Sequence, residues 1–283
     1  MSFATQPSPG LIRASTLKVA DLATFERMGS DPQGDVLLCI HGTLDRGLSF
    51  RRIARRLSDL DVVAYDRRGY QESRSLGAAP TLRAHLDDVA QFLETIDERR
   101  RVFIFGHSFG GVIALAAALE HPERISGVIA YEPPLPWMVE GLHPHRGVEL
   151  DEDASEEAER FFRRIVSDAA WERLSEEERD DRRADGAALI GDLRIVRMET
   201  PFTEFQLAEL PAPLSIIIGT SSHLSHTAVT APLAVAAAPH GQLVTIEDAG
   251  HGAHLSHPDA LARRISEAVA WSRAIEEEST CAS

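Results

Sequence analysis

Short, unbroken apolar runs punctuate the chain at Val36–Ile40, Val62–Tyr65, Val102–Phe105 and Ile125–Tyr131. Runs of this length with no polar face read as strands buried on both sides. Between them, Leu48–Leu57, Leu82–Ile96 and Ser108–Glu120 carry helical spacing. Thr16–Val19 and Ala23–Met28 are more polar and read as an antiparallel edge. After Tyr131 the rhythm breaks at Pro133, Pro134 and Pro136. Residues 137–200 then follow a charged, helical pattern, with Phe161, Phe162, Ile165 and Val166 as one apolar stripe. Strands resume at Leu214–Gly219 and Leu243–Glu247, and Pro258–Ile275 closes the chain as a helix. This order predicts an α/β fold: a mainly parallel, eight-stranded sheet with helices on both faces. Residues 1–136 and 201–283 would form its core, and 137–200 a helical cap inserted after the sixth strand.

Composition narrows the class. With 283 residues and 43% hydrophobic content the chain can bury one sizeable core. The net charge, 29 − 44 = −15, disfavours nucleic acid and anionic membrane as partners. No apolar run approaches the length of a membrane span, and Met1–Gly10 lacks a basic-then-apolar leader, so a cytoplasmic protein is expected. The two cysteines, Cys39 in a strand and Cys281 near the end, do not make a disulfide framework. No Cys/His cluster has metal-ligand spacing, so no metal or cofactor is expected. A small-molecule substrate is, and a homodimer is compatible with the composition. The acidity peaks between Glu149 and Arg183, where 14 acidic residues face 7 basic ones, a pattern of solvated helix faces.

The candidate chemistry centres on Gly106-His107-Ser108-Phe109-Gly110, placed between a buried strand and a buried helix. G-x-S-x-G in that context makes a nucleophile elbow, with Ser108 strained and its hydroxyl lifted clear of the sheet. The following helix turns its N-terminal N–H groups toward the reacting centre. A serine hydroxyl needs an adjacent base. Three further stretches end at the same edge: Val36–Ile40 in His41-Gly42-Thr43, Asp61–Tyr65 in Asp66-Arg67-Arg68-Gly69, and Gln242–Ile246 in a loop holding Gly250-His251. With these motifs the chain resembles the α/β-hydrolase family, specifically its small-molecule serine hydrolases, over about residues 15–136 and 201–276.

The resemblance implies a cofactor-independent serine hydrolase that cleaves an ester, thioester, lactone or similar acyl bond. Ser108 would be the nucleophile and His251 the base. The backbone N–H groups of Phe109 and Thr43 would form the oxyanion hole, with Leu44 next in line and the Thr43 hydroxyl as a possible extra donor. Asp66 would be a turn carboxylate paired with Arg67 or Arg68. His41 would be structural, His107 a packing residue, and His254 and His257 helix-start residues, with His223 and His226 unassigned. The family's usual acid position after the seventh strand is occupied by Ser222. Some members carry the acid after the sixth strand instead, where Glu132 stands here; a Ser–His dyad and an inactive site are the alternatives. The same triad serves carbon–carbon hydrolases, perhydrolases and hydroxynitrile lyases, and a hydrolase-like ligand-binding protein is a further alternative. Dehalogenase and epoxide-hydrolase chemistry needs a carboxylate at the elbow, which Ser108 is not.

Overall fold

The computed structural model describes residues 10–14, 19–31, 33–142 and 153–281. Eight strands form one sheet: β1 (Ile12–Arg13), β2 (Thr24–Arg27), β3 (Val36–Ile40), β4 (Asp61–Tyr65), β5 (Val102–His107), β6 (Ile125–Tyr131), β7 (Leu214–Gly219) and β8 (Gly241–Ile246). Their spatial order is β1-β2-β4-β3-β5-β6-β7-β8. The β1–β2 and β2–β4 pairs are antiparallel, and every pair from β4 to β8 is parallel. The polar edge expected at Thr16–Val19 is instead Ile12–Arg13; residues 16–18 lie outside the described residues, and Val19 is not in a strand.

The apolar runs lack a polar face because both faces of the sheet are covered. In β3, Val36, Leu38 and Ile40 enter one core cluster while Leu37 and Cys39 enter the other. Val102 and Ile104 of β5 divide from Phe103 and Phe105 in the same way. This is the two-residue period of a strand expressed between two apolar layers. The first layer is covered by α2 (Leu82–Thr95) and α3 (Phe109–Glu120), which contribute Val89, Phe92, Val112 and Leu115. The second is covered by α1 (Arg51–Ala54) and the long C-terminal helix, with Ile53, Leu261, Ile265 and Val269. The helix expected at Leu48–Leu57 is a 3₁₀ turn, Gly47–Phe50, running into the short α1.

Between β6 and β7 lie α4 (Ala154–Ile165), α5 (Asp168–Glu172), α6 (Glu176–Ala184), α7 (Gly186–Met198) and the short α8 (Glu204–Leu207). Between β7 and β8 lies α9 (Ser225–Ala237), which sequence periodicity did not reveal; its alanine-rich face and internal Pro232 blur the helical signal. After β8 come α10 (Ala253–Ser256) and α11 (Pro258–Cys281). Among the described residues, no helix is long and apolar enough to cross a membrane.

Candidate active site

Ser108 sits where β5 turns into α3, with φ +53° and ψ −123°, a region non-glycine residues rarely adopt. The tightness of that turn explains the glycines on either side. A Cβ on Gly106 would come within 2.2 Å of the Gly110 carbonyl oxygen, and one on Gly110 within 2.1 Å of the Ile40 carbonyl oxygen. The strain persists because neighbouring backbone overdetermines it. The Ser108 N–H donates to the Tyr131 carbonyl (2.8 Å), and the Gly111 N–H to the Ser108 carbonyl (2.8 Å). The Ser108 hydroxyl lines a cavity and bonds no described residue.

His251 faces the same cavity. Its loop is held from three sides. The Tyr131 hydroxyl donates to the Gly250 carbonyl (2.6 Å), the Ser221 N–H to the Ala249 carbonyl (2.9 Å), and His107 Nε2 lies 2.9 Å from the His251 carbonyl oxygen. His107, expected to be a packing residue, thus also holds this loop by a hydrogen bond, and its ring lies tilted against that of His251, with centroids 4.8 Å apart.

Glu132 stands at the end of β6 with φ +48°, and its carboxylate turns back toward this loop. Oε2 lies 2.7 Å from His251 Nδ1 and accepts from the Ser222 hydroxyl at 2.9 Å. Oε1 accepts from the Gly219 N–H at 2.9 Å. Burial would raise this carboxyl's pKa; the hydrogen bonds from His251, Gly219 and Ser222 outweigh it and hold it below the ordinary glutamate value. Ser222, at the position the family usually gives to the acid, therefore donates to an acid supplied by the neighbouring strand. Burial pushes His251 down to about 4, against the pull of Glu132 and with the His107 and His254 rings adding to the depression. The imidazole is therefore neutral at pH 7, the form that can accept a proton.

Thr43 and Phe109 both border the cavity beside Ser108. The Thr43 hydroxyl, considered as an extra donor, is already committed to Asp192 Oδ2 at 2.9 Å. Asp192 belongs to α7 and is 2% exposed. It also takes a bidentate pair from the fully buried Arg67 (3.0 and 2.7 Å) and a bond from the Tyr70 hydroxyl (2.7 Å). Arg67 in turn donates to the carbonyls of His41 and Gly42 (2.9 and 3.1 Å), so one buried ion pair ties the loop after β3 to the helices beyond β6. The pairing expected for Asp66 is not formed: its carboxylate accepts from the Gly47 and Glu72 backbone N–H groups, while Arg67 and Arg68 pair with Asp192 and Asp88. Burial raises the Asp66 carboxyl to about 6.

Two lobes meet at Ser108. One, about 350 Å³, is walled by Leu44, Phe162, Val166 and Leu255, with Arg182 on its rim. The other, about 270 Å³, is walled by Phe109, Pro134, Leu193, Val196 and Leu224. Phe161 and Ile165 of α4 border both. His223 and His226, unassigned in the sequence, also line the second lobe, where burial lowers the His226 pKa.

A strained serine at a strand-to-helix turn, a neutral histidine and a buried carboxylate at one edge of a parallel sheet define an α/β hydrolase architecture. The sequence profile of the alpha/beta hydrolase family matches residues 37–264, most of the chain, and the protein belongs to that family. An uncharacterized hydrolase of Bacillus subtilis, YraK, is 31% identical over 123 residues, covering 42% of this chain and 45% of its own. The lipase LipV of Mycobacterium tuberculosis is 32% identical over 98 residues, covering 34% of this chain and 36% of its own. The chain thus spans less than half the length of either relative. Among solved structures, a hydrolase from Pseudomonas aeruginosa superposes with a TM-score of 0.69 over 92% of this chain and 98% of that one. At 22% identity this likeness speaks for the fold.

Proposed function

We propose that the protein is a cofactor-independent serine hydrolase of small acyl esters, with Ser108, His251 and Glu132 as its triad. The observation that carries this reading is the 2.7 Å approach of the Glu132 carboxylate to His251 Nδ1, on the loop that faces Ser108. Glu132 accepts the Nδ1 proton, which leaves Nε2 as a lone pair for the serine. His251 takes the Ser108 proton as Oγ attacks the acyl carbon. The N–H groups of Phe109 and Thr43 hold the oxyanion, and removal of one such donor commonly costs about 10²–10³ in rate. His251 then returns the proton to the departing alcohol, and water repeats the sequence on the acyl-enzyme. The absence of a Ser108–His251 hydrogen bond fits this scheme, because such contacts often close only around substrate.

Both lobes are mainly apolar, which suits an ester with a hydrocarbon group on each side of the scissile bond. The helices α4–α7 act in this reading as the cap, since Phe161 and Ile165 wall both lobes. The relation to a lipase and to a hydrolase supports ester cleavage. The test is hydrolysis of short-chain p-nitrophenyl esters combined with fluorophosphonate labelling. Wild-type protein should turn over the esters and label once. Ser108→Ala should lose labelling and at least about 10⁴-fold in kcat. Labelling that survives this substitution rejects the assignment.

A further inference from the structure

Behind His251, three side chains from distant parts of the chain converge: Asp45 from the loop after β3, His107 from the end of β5 and His254 from α10. Asp45 Oδ2 lies 3.2 Å from His254 Nε2 and 3.6 Å from His107 Nδ1, and the three atoms lie within 4.8 Å of one another. His107 and His254 are 6% and 3% exposed. All three atoms are buried, and apart from these carboxylate–imidazole approaches none has a well-aligned hydrogen-bond partner among the described residues. Folded proteins seldom leave even one buried polar atom in that state, and three facing each other call for a missing partner.

The tautomer of His107 sharpens the point. Its Nε2 lies 2.9 Å from the His251 carbonyl oxygen, which can only accept, so Nε2 carries the proton. Nδ1, the nitrogen left free for a ligand bond, faces the Asp45 carboxylate at 3.6 Å. A carboxylate and a lone pair facing each other repel unless a positive centre lies between them. A metal-binding histidine ordinarily donates its other N–H to a carbonyl or carboxylate, as His107 does here.

We propose that Asp45 Oδ2, His107 Nδ1 and His254 Nε2 bind a divalent first-row transition-metal ion of the zinc type. A tetrahedral ion with bonds of about 2.1 Å holds its ligand atoms about 3.4 Å apart; the two separations from Asp45, 3.2 and 3.6 Å, bracket that figure, and the two imidazole nitrogens lie within 4.8 Å of each other, so they would draw together on binding. Two imidazoles with one carboxylate suit zinc, cobalt or iron and not calcium or magnesium, which take oxygen ligands. The three residues border the cavity that holds Ser108, which provides an entry path and room for a water as fourth ligand. Cysteine and histidine spacing hid this site, because its ligands stand at positions 45, 107 and 254 and form no local motif.

The site has a consequence that rests on the proposed hydrolase function. The His107 ring lies between those of His251 and His254, with centroids 4.8 and 4.5 Å away. A dication there opposes the positive charge that His251 must gain when it takes the serine proton. Metal binding should therefore slow hydrolysis.

The test uses tag-free, full-length protein stripped with EDTA and returned to chelator-free buffer. Calorimetric titration should show one high-affinity Zn²⁺ per chain, and Co²⁺ should develop the intense visible bands of a tetrahedral centre. Asp45→Asn and His254→Gln, checked by circular dichroism for folding, should each weaken Zn²⁺ binding at least about tenfold. If either variant fails to fold, nitrogen NMR of the wild-type histidines decides: Zn²⁺ should move His107 Nδ1 and His254 Nε2 and leave His107 Nε2 protonated. Absence of Zn²⁺ binding to the wild type, binding that persists in both folded variants, or unmoved nitrogen resonances overturns the site. Ester turnover should fall as the site fills and return with EDTA. A filled site with unchanged turnover overturns the inhibitory role alone. A protein with no ester turnover refutes the proposed function and leaves the metal titration to decide the site.

Discussion

From Val102 to Ala118 every residue is buried except Ser108, whereas α6 buries none and α4 buries only Ala158. The two regions meet at one cavity and are held together by different forces. The β5–α3 turn is fixed by apolar burial on both faces and by backbone contacts closer than any Cβ would allow. Such packing can hold a residue in strained geometry. The helices α4–α6 are laced instead by surface ion pairs, in which Arg163 meets Glu159, Asp168 and Glu172, and Arg183 meets Glu159, Glu176 and Asp180. Pairs of this kind add little net stability and weaken with salt. In the proposed mechanism the rigid region carries the chemistry and the ion-paired one shapes the pocket. Two buried carboxylates are exceptions: Asp192 pins α7 to the loop holding Thr43, and Asp185, at the α6–α7 junction, takes Gln71 and Arg74.

That division can be broken experimentally. Glu132→Gln is isosteric and its amide oxygen can still accept from the Gly219 N–H, so it should leave the fold intact and, in the proposed mechanism, lower kcat by about 10²–10⁴. Adding Ser222→Asp, at the position whose native hydroxyl lies 2.9 Å from the lost carboxylate oxygen, should recover part of the rate. Near-native kcat in the single variant would show that His251 needs no acid. Asp192→Ala leaves Arg67 buried without its partner, a change that typically costs about 3–5 kcal/mol. A thermal midpoint lowered by about 10 °C is expected. An unchanged midpoint would deny the ion pair its anchoring role.

Phe161→Ala tests the other side of the comparison. The ring walls both lobes but touches no triad residue in the proposed mechanism, so kcat/KM should fall about tenfold, mainly through KM. A fall in kcat alone would place α4 in the chemical step. The smallest effect is the position of the acid limb of the kcat/KM profile. Burial disfavours the His251 imidazolium and lowers its pKa from the ordinary 6.5 to about 4, so activity should persist to about pH 4–5. Between those two values the unfolded chain binds a proton that the folded one does not. Stability therefore rises with pH across that window and is lost as pH falls through it. An acid limb at 6.5, or one that moves with ionic strength, would mean that His251 is solvated like the surface charges of α4–α6.

Seven of the eight strands, the elbow and the two candidate partners of Ser108 were legible in the linear order; the edge strand at Ile12–Arg13 was not. Apolar runs, small residues around a serine and the Glu-Pro-Pro after β6 are local signals, and local sterics set what they become. Glu132 was readable because Ser222 vacated the usual position and the adjacent strand offered a carboxylate at the same edge. Other features had no local signal. Thr43 and Asp192 stand 149 positions apart, and Arg67 and Asp192 stand 125 apart. Asp45, His107 and His254 meet only because the loop after β3, the end of β5 and α10 share one side of the sheet. Asp66 lies beside two arginines in sequence yet caps backbone N–H groups, because both arginines find buried carboxylates elsewhere. The sequence by itself determined the layers, the strained turn and the residues able to do chemistry, since these follow from burial and backbone sterics within a few residues. Only the tertiary structure decided which charges pair and which buried atoms stay without partners, because those outcomes depend on distances between segments that no local pattern encodes.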